Sequence, residues 1–354
     1  MSKMLEEIRQ QPAALERTFR TELKGIEKLR ARFAANRPKF IILAARGTSD
    51  NAAQFGRYLL EIATGIPVSL AAPSIFPLYG ARVDYKDALV VAISQSGEST
   101  DTNMVLERAR ECGAFTVGIT NEAGSTLAKI SEHAILVRAG REKSVAATKT
   151  YTGQLLAMYL LAYALGAPVS LDELRAMPEA VAGALSLEAG IREQAGRYRF
   201  MENAVVVGRG LNYANAFECA LKLMETCYVV AERFSSADFL HGPIAMVERS
   251  FPVFLFAPAG VTWPSIREMV GRVHSLGAET LVITDQSNRE AANLKGTRCI
   301  VLPASLHRKT AVPEELYTPL PYIVPAQLLA ACLAEEKGLN PDQPRALEKV
   351  TRTL

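Results

Sequence analysis

Residues 88–102 read ALVVAISQSGESTDT. An unbroken apolar run, 88–93, passes directly into a cluster of hydroxyl side chains. The next segment, Asn103 to Arg110, has a helical period. A strand with no polar alternation is covered on both faces, which predicts a parallel sheet between helix layers. Such sheets bind ligands beyond the C-terminal ends of their strands, where 94–102 lies. Free backbone N–H groups and a helix dipole favour an anion there, and a phosphate monoester needs no lysine in such a nest. Serine and threonine also cap helices routinely, but this stretch holds more hydroxyls than a cap needs.

Two better-known phosphate motifs are excluded. GxxxxGK[ST] is absent. Gly208-Arg209-Gly210 continues as Leu211-Asn212-Tyr213, so the third glycine of a dinucleotide fingerprint is missing.

Outward from this loop, the chain repeats itself. FIILAARG (40–47) resembles AVVVGRG (204–210), and 210 − 47 = 163. The glycines ending ALVVAISQSG (88–97) and FPVFLFAPAG (251–260) differ by 260 − 97 = 163. CGAFTVGIT (112–120) matches LGAETLVIT (276–284), with 284 − 120 = 164. Three matches at nearly one spacing imply a duplicated domain. Strands are predicted at 39–45, 67–71, 88–94, 115–119 and 134–138, then at 204–208, 251–257, 280–284 and 299–302. Helices are predicted at 3–35, about 150–195 and 321–337. The expected class is α/β, with two flavodoxin-like three-layer sandwiches in tandem.

The 354 residues suffice for two cores. A net charge of +3 argues against a nucleic-acid surface. The five cysteines are odd in number and hold no CxxC pair, which reads as free thiols in a reducing cytosol. The start, MSKMLEEIRQQP, has no apolar segment of a signal peptide. Leu155 to Ala167 is too short to cross a bilayer. These features predict a cytoplasmic protein with no membrane partner.

A second constellation follows the second Arg-Gly turn. Glu218, Lys222 and Glu225 are spaced by four and three, so they share one helix face. Rows of this kind are commonly solvent ion pairs. His241 precedes Gly242-Pro243, which places it in a rigid loop. His133, His274 and His307 read as bystanders. A partly desolvated carboxylate can shuttle a proton and an imidazole can serve as a second acid–base. His241 has no second His or Cys at ligand spacing, so no metal is expected, nor any other cofactor.

These residues resemble a known family, the sugar-isomerase (SIS) domain pair that forms the isomerase half of glucosamine-6-phosphate synthase. The resemblance rests on GTS (47–49), SQSGES (94–99), SVAATKTYTGQL (144–155), ALKLMETCY (220–228), HGP (241–243) and QPRALEKV (343–350). It implies domains at 1–190 (N-terminal helices and the phosphosugar-binding repeat), 191–340 (the catalytic repeat) and 341–354 (a tail). It implies that Ser94, Gln95, Ser96 and Ser99 hold a sugar phosphate, with Thr48 and Ser49 beside them and the backbone at Val145 lining the sugar. Glu225 would move the C1/C2 proton, with Lys222 beside it. His241 would open the ring, acting from the partner in a homodimer with shared sites. Lys349 would sit over the open sugar.

The chain departs from the synthase pattern at Arg46 (Cys there), Ala147 (Ser there) and Val350 (Ser there), and it starts Met1-Ser2 with no glutaminase domain. The ending KVTRT (349–353) is similar to that of stand-alone SIS deaminases. The resemblance therefore implies a glucosamine-6-phosphate deaminase giving fructose 6-phosphate and ammonia, without glutaminase activity. The residues leave open a galactosamine-type or fructosamine-type phosphosugar, or a non-catalytic phosphosugar-binding regulator.

Overall fold

The computed structural model describes residues 2–304 and 313–347. Helices α1 (Lys3–Arg9) and α2 (Gln11–Ala35) precede an alternation of strands and helices. It runs β1 (Phe40–Ala44), α3 (Thr48–Thr64), β2 (Val68–Leu70), α4 (Ile75–Tyr79), β3 (Ala88–Ile93), α5 (Thr100–Glu111), β4 (Phe115–Thr120), α6 (Thr126–Ile130), β5 (His133–Leu136) and α7 (Lys149–Ala164). Helices α8 (Leu171–Leu185) and α9 (Glu188–Ala195) lead to the second alternation. That one runs β6 (Asn203–Gly208), α10 (Tyr213–Cys227), β7 (Val230–Ser235), α11 (Ser236–Leu240), β8 (Pro252–Phe256), α12 (Trp263–Ser275), β9 (Glu279–Asp285), α13 (Arg289–Ala292), β10 (Arg298–Leu302) and α14 (Pro319–Glu336).

The first sheet has the order β2-β1-β3-β4-β5 and the second β10-β9-β8-β6-β7. Read from its opposite edge, the second sheet repeats the order of the first. Every strand pair is parallel. This is the expected α/β architecture of two helix-flanked parallel sheets. In both, the order reverses beside the first strand, so each sheet has a crevice there at the C-terminal strand ends.

One strand, β7, was not among those expected. Its sequence VAERFS alternates and carries Glu232 and Arg233. It is an edge strand with solvent on one side, so it lacks the continuous apolar signature of β3 and β8.

The residues pack into two compact units. One comprises Ala13–Glu142 and Lys149–Arg175 and contains the first sheet. Its helix α7 is buried almost throughout, and from Leu155 on it is apolar on all sides, as a helix enclosed by protein must be. Phe55 of α3 meets Tyr159 of α7 edge to face, ring centroids 5.0 Å apart. The other unit comprises residues up to Pro12, Lys143–Thr148 and the described part of Ala176–Ala346, with the second sheet. Helix α14 is its buried axis and packs against α10, α9 and α1. Its prolines at 319 and 321 lie in the first turn, where a missing N–H costs no hydrogen bond. Among the described residues, no helix is long and apolar enough to cross a membrane.

Candidate functional site

In the unit of the first sheet, the 94–99 loop joins β3 to α5. Its backbone is drawn tight around Gly97, whose φ is +66° and whose N–H donates to the Ser94 hydroxyl at 3.1 Å. A side chain at Gly97 would run into Ser125, so the turn requires glycine. Ser99 is the residue before α5, yet its hydroxyl does not cap the helix. It donates to Asp101 Oδ1 at 3.1 Å and lies 3.1 Å from Thr102 Oγ1. In the first turn of α5 the Thr102 N–H donates to Asp101 Oδ1 at 2.8 Å and the Asn103 N–H to the Ser99 carbonyl at 2.9 Å, while Thr100 is exposed. Ser94 is buried, while Gln95, Ser96 and Ser99 are half-buried. Gln95 is fixed by a 2.9 Å hydrogen bond from its Nε2 to Glu142 Oε2, and Glu142 also accepts from the Thr150 hydroxyl at 2.7 Å.

The turn from β1 to α3 reaches the same loop. Arg46 donates to Asp101 Oδ2 through Nε at 2.8 Å and lies 2.7 Å from it through Nη2. Asp101 is 1% exposed and Arg46 48%, so the guanidinium stands at the mouth and neutralises the carboxylate beneath it. Burial raises the Asp50 carboxyl above its ordinary range, and Arg46 opposes that shift. Gly47 takes φ +56° and Thr48 opens α3. Ser49 is placed differently from the cradle serines. It is buried and accepts a 2.9 Å hydrogen bond from Gln154 of α7.

The second constellation lies in the other unit. On α10, Lys222 and Glu218 are fully buried and Glu225 is 22% exposed. The Lys222 ammonium is 3.4 Å from Glu218 Oε1 and 2.5 Å from Glu225 Oε2. A solvent ion-pair row would be exposed; this one is enclosed, and it fixes one face of the half-exposed Glu225 carboxylate.

Three residues past Glu225, Tyr228 takes φ +55° and ends the helix. Its hydroxyl accepts from the backbone N–H of Arg345 at 2.9 Å, and the Arg345 guanidinium lies 4.5 Å from the ring centre. The segment after α14 is thereby held at the same helix end. Asp342, in that segment, accepts at 2.8 Å from the backbone N–H of Lys3 and of Met4, and its own carbonyl accepts from Val145 at 3.3 Å. Val145 is thus packed with the chain end that carries the next lysine. Lys349 itself, like His307, lies outside the described residues.

His241 follows α11 and is exposed. Gly242 after it takes φ +144°, a value suited to glycine, and Pro243 fixes the next turn.

The sequence reading missed Asp101, Glu142, Asp342 and Tyr228. Asp101 and Tyr228 stood inside quoted motifs and were passed over because their neighbours carried the pattern. Glu142 and Asp342 lie in irregular chain, where no periodicity marks a residue.

Burial holds the thiols of Cys227 and Cys332 up at about 11, the pattern of inert structural cysteines. Among the described residues, no three His, Cys, Asp or Glu side chains gather as a metal site.

An isomerizing glutamine–fructose-6-phosphate aminotransferase of Methanothermobacter thermautotrophicus is 35% identical over 98% of this chain and 56% of its own length. The chain thus spans about half the length of the curated relatives it matches. The C-terminal domain of glucosamine–fructose-6-phosphate aminotransferase from Francisella tularensis superposes with a TM-score of 0.86 at 28% identity, over 97% of this chain and 98% of that one. A glucosamine-6-phosphate deaminase from Thermotoga maritima superposes at 0.76 with 22% identity, over 99% and 100% of the two chains, a likeness of fold alone. The SIS domain model matches residues 36–164 and 201–324, one match on each sheet, and the chain belongs to the SIS domain family.

Proposed function

We propose that this chain is a phosphosugar isomerase acting on an amino-sugar 6-phosphate, and that its reaction converts glucosamine 6-phosphate and water to fructose 6-phosphate and ammonia. The observation that carries the reading is the Glu225 carboxylate, half-exposed and held 2.5 Å from a buried lysine. A proton shuttle between adjacent carbons needs one carboxylate, partly desolvated and fixed in orientation.

The serine loop after β3 takes the phosphate, with Arg46 offsetting the Asp101 charge beneath it. The His241 imidazole opens the sugar ring. Its exposure supports the expectation that it serves the site of a second copy in a homodimer. Glu225 then removes the proton from C2 of the open aldehyde, giving an enaminol protonated on O1. It returns that proton to C1 while the nitrogen gives up one of its own, which leaves a ketimine at C2. Water adds to C2 and ammonia departs. Lys349 exchanges with the C2 imine or orients it. None of these steps draws on a metal or another cofactor.

The relatives' names favour a second reading, in which the same proton transfer runs toward the amino sugar with ammonia supplied from elsewhere. One assay tests both. Glucosamine, galactosamine and fructosamine 6-phosphates are incubated with the full chain, and ammonia and ketose are measured without glutamine. Equimolar ammonia and fructose 6-phosphate from glucosamine 6-phosphate is the expected result. Turnover detectable only from fructose 6-phosphate and added ammonia favours the second reading. No turnover in either direction, with phosphosugar still bound, contradicts both.

A further inference from the structure

The two repeats place equivalent crevices under equivalent loops, but the second crevice is filled. The offset of 163 pairs Gly47 with Gly210, Gly97 with Gly260 and Ser99 with Thr262. The structure bears out this pairing in detail. Gly47 and Gly210 both take φ +56°. Gly97 and Gly260 both take positive φ, +66° and +124°. Ser99 and Thr262 each precede a helix, α5 and α12, and neither side chain caps it. A Cβ built on Gly47 meets nothing within 4 Å. A Cβ built on Gly210 comes within 3.0 Å of Thr262 and 3.6 Å of Glu315 Oε1, and one on Gly260 within 2.7 Å of Glu315 Oε2.

Glu315 is 3% exposed. Its Oε2 accepts from the Thr262 hydroxyl at 2.8 Å and from the Thr262 backbone N–H at 3.3 Å. These donors stand at the start of α12, where the helix dipole favours negative charge. Thr318 Oγ1 and the Thr318 N–H both donate back to the Glu315 carbonyl, so a turn holds the residue in place. The loop before α12 reads Ala257-Pro258-Ala259 where the first repeat has Ser94-Gln95-Ser96. Its side chains offer no hydroxyls, and the remaining donors suit a carboxylate better than a phosphate dianion. Burial raises the Glu315 carboxyl and the two Thr262 bonds oppose that shift.

We propose that the second repeat retains an anion-binding nest and that the Glu315 carboxylate is its built-in occupant, closing the crevice and anchoring the chain that enters α14. Removal of that carboxylate leaves a nest for an external small carboxylate.

The test is chemical rescue of full-length E315A, with E315Q as the variant that keeps the volume and an acceptor oxygen. Thermal unfolding is followed in sodium chloride and in sodium acetate at equal ionic strength. The proposal expects a clear fall in midpoint for E315A in chloride and recovery of much of it in acetate. The wild type and E315Q should show no acetate-specific gain. An E315A midpoint equal to wild type, or an acetate gain shared equally by wild type, overturns it. If E315A is unfolded in chloride, refolding in acetate supports the proposal and failure to refold in acetate contradicts it.

Discussion

At Arg46 two donors of one guanidinium converge on a single oxygen of Asp101, a carboxylate 1% exposed beneath the serine loop. An anionic ligand in that loop would otherwise meet a like charge at close range. Hydrogen bonds to charged groups are worth about 1.5–3 kcal/mol. R46A should therefore raise KM for the phosphosugar about tenfold or more, with kcat changed much less, if the proposed loop takes the phosphate and Arg46 offsets the Asp101 charge beneath it. Steady-state kinetics check this, and an R46A enzyme that lost kcat at unchanged KM would place the residue elsewhere in the chemistry. Legibility at this scale was uneven. Arg46 stood out as a departure from a family pattern, but Asp101 beneath it did not, since an acid in a helix's first turn is ordinary. The ion-pair spacing of Glu218, Lys222 and Glu225 was readable, whereas its burial was not. Burial depends on α14 packing over α10, a contact between distant segments. Ser49 shows the converse, because its motif position suggested a ligand while its hydroxyl accepts from Gln154 inside the helix pair.

The turn between β3 and α5 works as one element. Gly97 at φ +66° lets its carbonyl accept from Leu127 N–H at 3.0 Å and from Asn103 Nδ2 at 3.1 Å, tying the loop to α6 and α5. Ser125, which a Cβ would strike, is the cap of α6. G97A thus imposes a strained φ and displaces a cap together. It should lower stability by about 1–3 kcal/mol and weaken phosphosugar binding in the variant that still folds. Urea unfolding and a binding titration check the two effects. The central strands beside such turns were legible because both faces of β3, β6 and β8 are covered, which leaves continuous apolar runs. β7 escaped because an edge strand alternates, and its Glu232-Arg233 pair reads as loop or helix surface.

For the whole molecule, duplication was written in three matched glycine or threonine spacings, and the shared strand order of the two sheets is its structural form. The packing of residues up to Pro12 and of Lys143–Thr148 with the second sheet was not readable, since it rests on contacts between distant segments, such as α1 against α14 and the Lys3 and Met4 N–H groups on Asp342. Charge pairs add to the same unit. The Arg9 guanidinium, by hydrogen bond and charge, holds the Glu188 carboxyl below its ordinary 4.5, against a smaller opposing effect of burial. A lowered carboxyl contributes stability that is complete above the ordinary value and is lost as pH falls through the folded one. Between pH 7 and pH 3, E188Q should therefore lose less stability than the wild type, read as a shallower fall in unfolding midpoint. Equal slopes for the two proteins would show that the pair contributes nothing.

The most direct measurement concerns Glu225. E225Q keeps the size of the side chain and removes the base. With glucosamine 6-phosphate its kcat should fall by about 100-fold to 10,000-fold, the usual worth of a positioned general base, while phosphosugar affinity stays at the wild-type value. Turnover at the wild-type rate in a folded, ligand-binding E225Q would contradict the account.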